Sequence, residues 1–483
     1  MKSTVRGVAV LALCSLSACG RAAAPADPQL VAQWMRAGLV FTRSERLGPP
    51  LAGRIAAYGS LALYEGYASD PHSTLRSLAG QLNGLATLPA APSDGAVDGA
   101  TVAAEAERVV LDSLYRDGRP ATRRTVDSLS KAQVAAREAA GVGSAMRDRS
   151  LAHGRALAAA LLAYAATDSF YATRGRPWTA PTGRQFWVNT ATTDQYVTQQ
   201  LSSQSDVAVT KNSGDTLDVE RATEKGLLMN RPKKAGPTTL PAFDPVKPTE
   251  PYWGVLRPFT LQDGDECKPP VPPPYSEKPG SEFYQMAQEF YDTVKALTPD
   301  KRQTALYWAD NPVATGTPAF HWISVLLHMV SARHLTAEQA VEDFTLTSIA
   351  IHDAFIGCWR EKYRSFVVRP VTYVQRVWDP KYVTVFATPP FPEYSSGHSV
   401  ISGAAVEVLI HQLGDTTAYV DSSQVDVGQA ARAYPSLSAA LHEVAMSRVY
   451  GGIHYMKAVV DGMKQGQCVG QRVIKRLQTH RAG

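Results

Sequence analysis

At 483 residues, 45% hydrophobic and 19% charged, the chain carries enough apolar material for one or two buried cores and lies outside the intrinsically disordered class. Its 49 Lys+Arg against 44 Asp+Glu leave a formal charge of +5, too small for a nucleic-acid surface to be the main theme, so no nucleic-acid partner is expected. Thirty-five glycines and 32 prolines predict long ordered connections between elements.

Lys2 and Arg6 precede an apolar run over 7–16, and Leu16-Ser17-Ala18-Cys19 is followed by Gly20 and small residues. This is similar to a bacterial lipoprotein signal peptide: residues 1–18 would be removed, Cys19 lipidated, and 19–35 would form a tether. The run is shorter than the ~20 residues that span a bilayer, so membrane contact is expected only through the lipid anchor. The body would then sit outside the cytoplasm, on the periplasmic face or cell surface. Cys267, Cys358 and Cys468 remain in it, and one disulfide plus one free thiol is the simplest arithmetic, with the pairing open.

Within the body, 36–236 reads as an N-terminal helical region, with helical spacing over 102–114 and 151–171 and a loop or short hairpin over 185–219. Eleven prolines between Pro237 and Pro274 predict an extended connection over 237–275 that wraps the surface. A third region, 276–480, has sharper helix signals. Ser281 can cap a helix carrying Phe283, Met286, Phe290 and Val294, and Thr298-Pro299 marks another start. Thr336 to Gln339 has the form of a capping box, opening a helix that runs to about Tyr363. A further helix starts at Ser396-Gly397-His398, and two more flank Gly451-Gly452. The expected fold is all-α, built of helical bundles, with a four-helix-bundle catalytic core in the C-terminal half.

Three segments there place cations, hydroxyls and imidazoles where an oxyanion could be held. Lys362 is followed after six residues by Arg369-Pro370, and Pro370 should force the chain out of helix so that the guanidinium projects from a loop. Ser396-Gly397-His398 offers free N–H groups and a helix dipole. Ser447-Arg448 is followed after five residues by His454. His352-Asp353 shares the helix of Lys362, and His352 reads as structural.

The joint order K-x6-R-P, S-G-H, S-R-x5-H resembles the family that unites vanadium-dependent haloperoxidases with type 2 phosphatidic acid phosphatases and bacterial class A acid phosphatases. Trp359, Pro389-Pro390-Phe391-Pro392, Trp308-Ala309-Asp310, Trp253-Gly254 and Arg257-Pro258-Phe259 resemble its secreted bacterial haloperoxidase-like branch. The resemblance implies vanadate as cofactor, with phosphate able to occupy the same site. Lys362, Arg369, Arg448, Ser396 and Gly397 would hold the oxyanion, His454 would bind its central atom, and His398 would be the acid–base partner. Asp310 would steady the last arginine, and Trp359 and Phe391 would face the halide side, the latter as in chloride-oxidising enzymes. The implied activity is oxidation of halide by hydrogen peroxide to hypohalous acid, ahead of an organic acceptor. The alternatives are a phosphatase acting on phosphate monoesters or lipid phosphates through a phosphohistidine on His454, and a non-catalytic oxyanion-binding protein. Oligomers are known in the family.

Two positions depart from the pattern. Ser395 stands where the family usually has proline. Ala458 stands where an aspartate would orient the ligand histidine, and Asp461, one turn further on, is the expected substitute.

Overall fold

The computed structural model describes residues 23–93, 95–190, 240–312, 314–416 and 418–481, so Cys19, its leader and most of 185–219 lie outside the described residues. Among these residues there are thirteen helices of eight or more residues. Before the proline stretch come α1 (Gln29–Ser44), α2 (Pro49–Ala68), α3 (Gly99–Leu114), α4 (Pro120–Ala139) and α5 (Ser144–Ala166). After it come α6 (Glu282–Lys295), α7 (Pro299–Tyr307), α8 (Thr317–Ala332), α9 (Ala337–Ser365), α10 (Pro370–Val377), α11 (Gly397–Leu413), α12 (Leu437–Tyr450) and α13 (Met456–Arg476). Strands β1 (Tyr419–Asp421) and β2 (Arg432–Tyr434) pair antiparallel between α11 and α12.

The predicted starts are made by the side chains that predicted them. Ser281 accepts from the Tyr284 N–H, and Thr298 accepts from that of Lys301 with Pro299 behind it. Thr336 and Gln339 form the reciprocal capping box of α9. That helix ends at Phe366, whose φ of 51° is left-handed. Pro370 does more than break it: its fixed φ suits a first helical position, so it opens α10 with Arg369 as N-cap, a helix the sequence reading did not foresee.

Helices α9, α11, α12 and α13 form the C-terminal bundle, with α11 packed against the other three. The α11–α13 contact is close because glycines line it. A Cβ on Gly466 would lie 2.0 Å from the Val400 carbonyl oxygen. The N-terminal helices pack α2 on α3 and α3 on α5, and α2 also lies on α9. One hydrophobic core therefore runs continuously from Val31 to Leu477.

Over its described part, 240–275, the proline stretch runs through turns and one short 3-10 helix, Trp253–Val255, and does not merely wrap the surface. Leu240, Trp253, Phe259 and Leu261 are buried in the common core. Its backbone donors need partners there, and the buried Asp353 carboxylate of α9 accepts from the N–H groups of Phe259 and Thr260, both at 2.7 Å. His352 packs among the rings of Tyr58, Trp253 and Phe259. Cys267 and Cys468 form the disulfide, tying this stretch to α13, and Cys358 is the buried free thiol. No helix among the described residues is long and apolar enough to cross a membrane.

Candidate active site

The three motif segments converge at one end of the C-terminal bundle. Lys362, near the end of α9, donates from Nζ to the carbonyls of Pro392 at 2.9 Å and Glu393 at 3.0 Å and to that of Ser395. Arg369 donates to the carbonyls of Ile453 and Phe391, each at 2.8 Å, and its Nη1 lies 3.0 Å from His454 Nε2. Arg448, on α12, donates to the Trp308 carbonyl at 2.6 Å. Ser396 caps α11, and its own N–H donates to the Ala458 carbonyl at 3.0 Å, which fixes the start of α11 against α13. Gly397 is the first helical residue, so its N–H has no intrahelical acceptor. A Cβ there would lie 3.9 Å from Lys362 Cε, so the free backbone donor and the ammonium share one locality.

These groups are almost wholly excluded from water, and their charges are correspondingly costly. Lys362 and Arg369 are 0% exposed and Arg448 is 1% exposed. Burial pushes Lys362 down to about 7, and Arg369 and Arg448 push the same way; burial also lowers Arg369 to about 10. His454 is driven well below its ordinary value by burial and then by Arg369, Lys362 and Arg448. His398 falls to about 4, by burial first and Arg448 second. The cluster holds excess positive charge that a multiply charged oxyanion would relieve.

Glu393 is a site residue that the sequence reading missed. Its Oε1 accepts from His454 Nδ1 at 2.9 Å and from the Tyr455 N–H at 3.0 Å. With the proton held on Nδ1, the lone pair of Nε2 faces Arg369 and the cation cluster. Burial raises the Glu393 carboxyl to about 7 against the pull of Arg369 and Lys362. Asp461 does not take this role: its carboxylate accepts from the Tyr394 hydroxyl at 2.7 Å and pairs with Lys457 at 2.8 Å. The carboxylate that meets His454 comes instead from the loop before α11, while position 458 on α13 carries only a methyl group.

Asp310 also lies in the site, with a different partner from the one expected. Its carboxylate reaches His398 Nε2 at 3.3 Å, close but not aligned for a hydrogen bond, and His321 Nδ1 at 2.8 Å. Burial would raise this carboxyl, but His321 and His398 outweigh it and hold it well below the usual carboxylate range. Phe391 lies between the cations, 5.1 Å from Lys362 Nζ and 5.2 Å from Arg369 Cζ. It lines a narrow pocket of about 30 Å³ with Pro49, Phe243, Phe386, His398 and Arg448. Trp359 does not reach that pocket. Its ring packs on Phe391 at 5.0 Å, and its Nε1 donates to the Thr249 carbonyl at 3.0 Å.

Residues 376–483 match the family described as the VCPO second helical-bundle domain. The whole chain is similar to the crystal structure of a bacterial vanadium-dependent iodoperoxidase, with a TM-score of 0.76 and 29% identity over 94% of this chain and 98% of that one. It also shares its fold with a holo-type bacterial vanadium-dependent chloroperoxidase, with a TM-score of 0.64 and 15% identity over 94% of this chain and 97% of that one. The apo-type bacterial chloroperoxidase aligns with a TM-score of 0.60 and 15% identity over 89% of this chain and 94% of that one. No curated protein matches the sequence. The helical fold, the matched bundle domain and these neighbours together support the vanadium haloperoxidase superfamily as the one that the chain resembles.

Proposed function

We propose that the protein is a vanadate-dependent haloperoxidase that uses hydrogen peroxide to oxidise halide to hypohalous acid. The observation that carries this reading is the buried trio Lys362, Arg369 and Arg448 gathered beside His454, whose Nδ1 is held by Glu393. The donor set fits vanadate: Lys362, Arg369 and Arg448 would hold its oxygens with the Ser396 hydroxyl and the Gly397 N–H beside them, and His454 would offer one imidazole nitrogen with a lone pair. Bound there, vanadate would supply Lewis-acid activation of peroxide without changing its own oxidation state.

The chain's own residues do the rest. Glu393 keeps His454 in the tautomer that offers Nε2. Lys362, Arg369 and Arg448 neutralise charge in a site from which water is excluded. His398, neutral at physiological pH because burial and Arg448 depress it, can take a proton from an incoming peroxide. The likeness over nearly the full chain to a bacterial vanadium-dependent iodoperoxidase favours the peroxidase reading over the phosphatase one.

We further propose that the mature protein is lipidated at Cys19 and works outside the cytoplasm, which the Cys267–Cys468 disulfide supports.

The test uses phosphate-free protein from Gly20 onward, loaded with orthovanadate and assayed with hydrogen peroxide and iodide, bromide or chloride in turn. The vanadate-free protein is assayed in parallel with p-nitrophenyl phosphate. Halide oxidation well above that of free vanadate is the expected result. Ester hydrolysis alone would move the protein to the phosphatase branch, and silence in both assays would leave an oxyanion-binding protein.

A further inference from the structure

The hairpin of β1 and β2 is too short to stand as a sheet of its own. It delivers side chains to a buried histidine of α8. His321 Nε2 lies 2.9 Å from Asp421 Oδ2, at the end of β1, and His321 Nδ1 lies 2.8 Å from Asp310 Oδ1. The other Asp310 oxygen faces His398. His398, Asp310, His321 and Asp421 thus stand in one row, and the side chains of the last three are at most 1% exposed.

The second strand braces the indole that covers the same ring. Trp308 stacks on His321 with centroids 4.3 Å apart and an 18° interplanar angle. The indole N–H of Trp308 donates to Glu443 at 2.9 Å, and Glu443 also receives Arg432 at 2.8 Å and the Tyr434 hydroxyl at 2.7 Å, both from β2. Gln424, between the strands, donates to Asp310 at 3.2 Å. Asp310 itself has a φ of 46°, a left-handed conformation that aspartate tolerates better than most residues and that its several partners hold in place.

A ring between two carboxylates keeps protons on both nitrogens and donates in both directions. Burial opposes that charge, but Asp310 and Asp421 outweigh it and raise His321 to about 10. His321 is therefore a fixed cation behind Asp310.

We propose that His321 and Asp421 are positioning residues: they hold the Asp310 carboxylate aimed at His398 and so fix the ring of the acid–base histidine. This rests on His398 having that role, which the peroxidase and phosphatase readings share.

The test has one arm that needs no turnover. In the vanadate-free protein labelled with ¹⁵N-histidine, Asp421→Ala shifts the ring signals of His398, identified by their loss in His398→Ala, and leaves those of His454 in place. Asp421→Asn, which keeps an acceptor oxygen but drops the charge, gives a smaller shift. That smaller shift decides the matter if the alanine variant does not fold. In the second arm Asp421→Ala lowers turnover about 10- to 100-fold with unchanged orthovanadate affinity, as loss of a supporting hydrogen-bond partner does elsewhere, and costs nothing further in the His398→Ala background. Unmoved His398 signals, or an equal fold-loss in both backgrounds, would overturn the proposal. A wild-type protein silent with halide and ester alike would sink the functional reading, and the spectra would still decide this one.

Discussion

Glu393 Oε1 lies 2.9 Å from His454 Nδ1, although the two residues are 61 positions apart and come from different loops. The same glutamate offers its main-chain carbonyl to Lys362 Nζ at 3.0 Å. One residue therefore supports both the imidazole and the first cation of the site. Removing its carboxylate frees the His454 ring to rotate and to carry its proton on either nitrogen. Glu393→Ala is expected to weaken orthovanadate binding about 10- to 100-fold, the usual effect of losing such a partner. Glu393→Gln, which keeps an oxygen to accept from Nδ1, should lose less, and Asp461→Asn should leave affinity unchanged. Titration calorimetry on the three variants checks the order; a loss confined to Asp461→Asn would contradict it.

Arg369 donates to two carbonyls and faces His454, so under the proposed function it would serve both the fold and the ligand. Arg369→Ala should weaken oxyanion binding by about 1.5–3 kcal/mol, the range for hydrogen bonds to charged groups, and lower the thermal midpoint as well. Lys362→Met removes the ammonium that gathers the 392–395 carbonyls and should do the same. Calorimetry paired with thermal unfolding separates the two effects.

Glu107, in the N-terminal helices, gives a pH test away from the site. It is buried, its Oε2 has no hydrogen-bond partner among the described residues, and burial pushes it up to about 8. Below the unfolded carboxyl's value, about 4.5, both states are protonated and the group contributes nothing to the pH dependence. As pH rises from there to 8 the unfolded chain releases the proton while the folded one keeps it, so stability falls. Glu107→Gln removes that loss. Its melting-temperature advantage over the wild type should grow by a few degrees between pH 5 and pH 8, and an advantage independent of pH would contradict the assignment.

The Cys267–Cys468 bridge closes a span of 201 residues, for which the chain-entropy picture gives about 5 kcal/mol as an upper figure. Cys267→Ser with Cys468→Ser should lower the unfolding midpoint in denaturant while leaving orthovanadate affinity at low temperature unchanged, since neither sulfur touches the cation cluster.

Elements with local signatures were legible in the sequence. Ser281, Thr298, Thr336 and Ser396 each cap the helix they announce, because capping is decided within four residues. Helix α8 was not read, because nearly all of its residues are buried and no polar face marks its period. The hairpin was missed for the opposite reason: three-residue strands carry almost no alternation. The same contrast holds in the site. The cations and both histidines stand out as spaced motifs. Glu393, His321 and Asp421 act only across long sequence separations that no local spacing reveals.

The account turns on His454 being the group that holds the oxyanion. Titrating orthovanadate into the phosphate-free protein and into His454→Ala, with His398→Ala as the control that keeps the ligand but lacks the acid–base ring, tests this most directly. Binding by the wild type and by His398→Ala, with none by His454→Ala, is the result predicted. Equal affinity in the wild type and His454→Ala would contradict it.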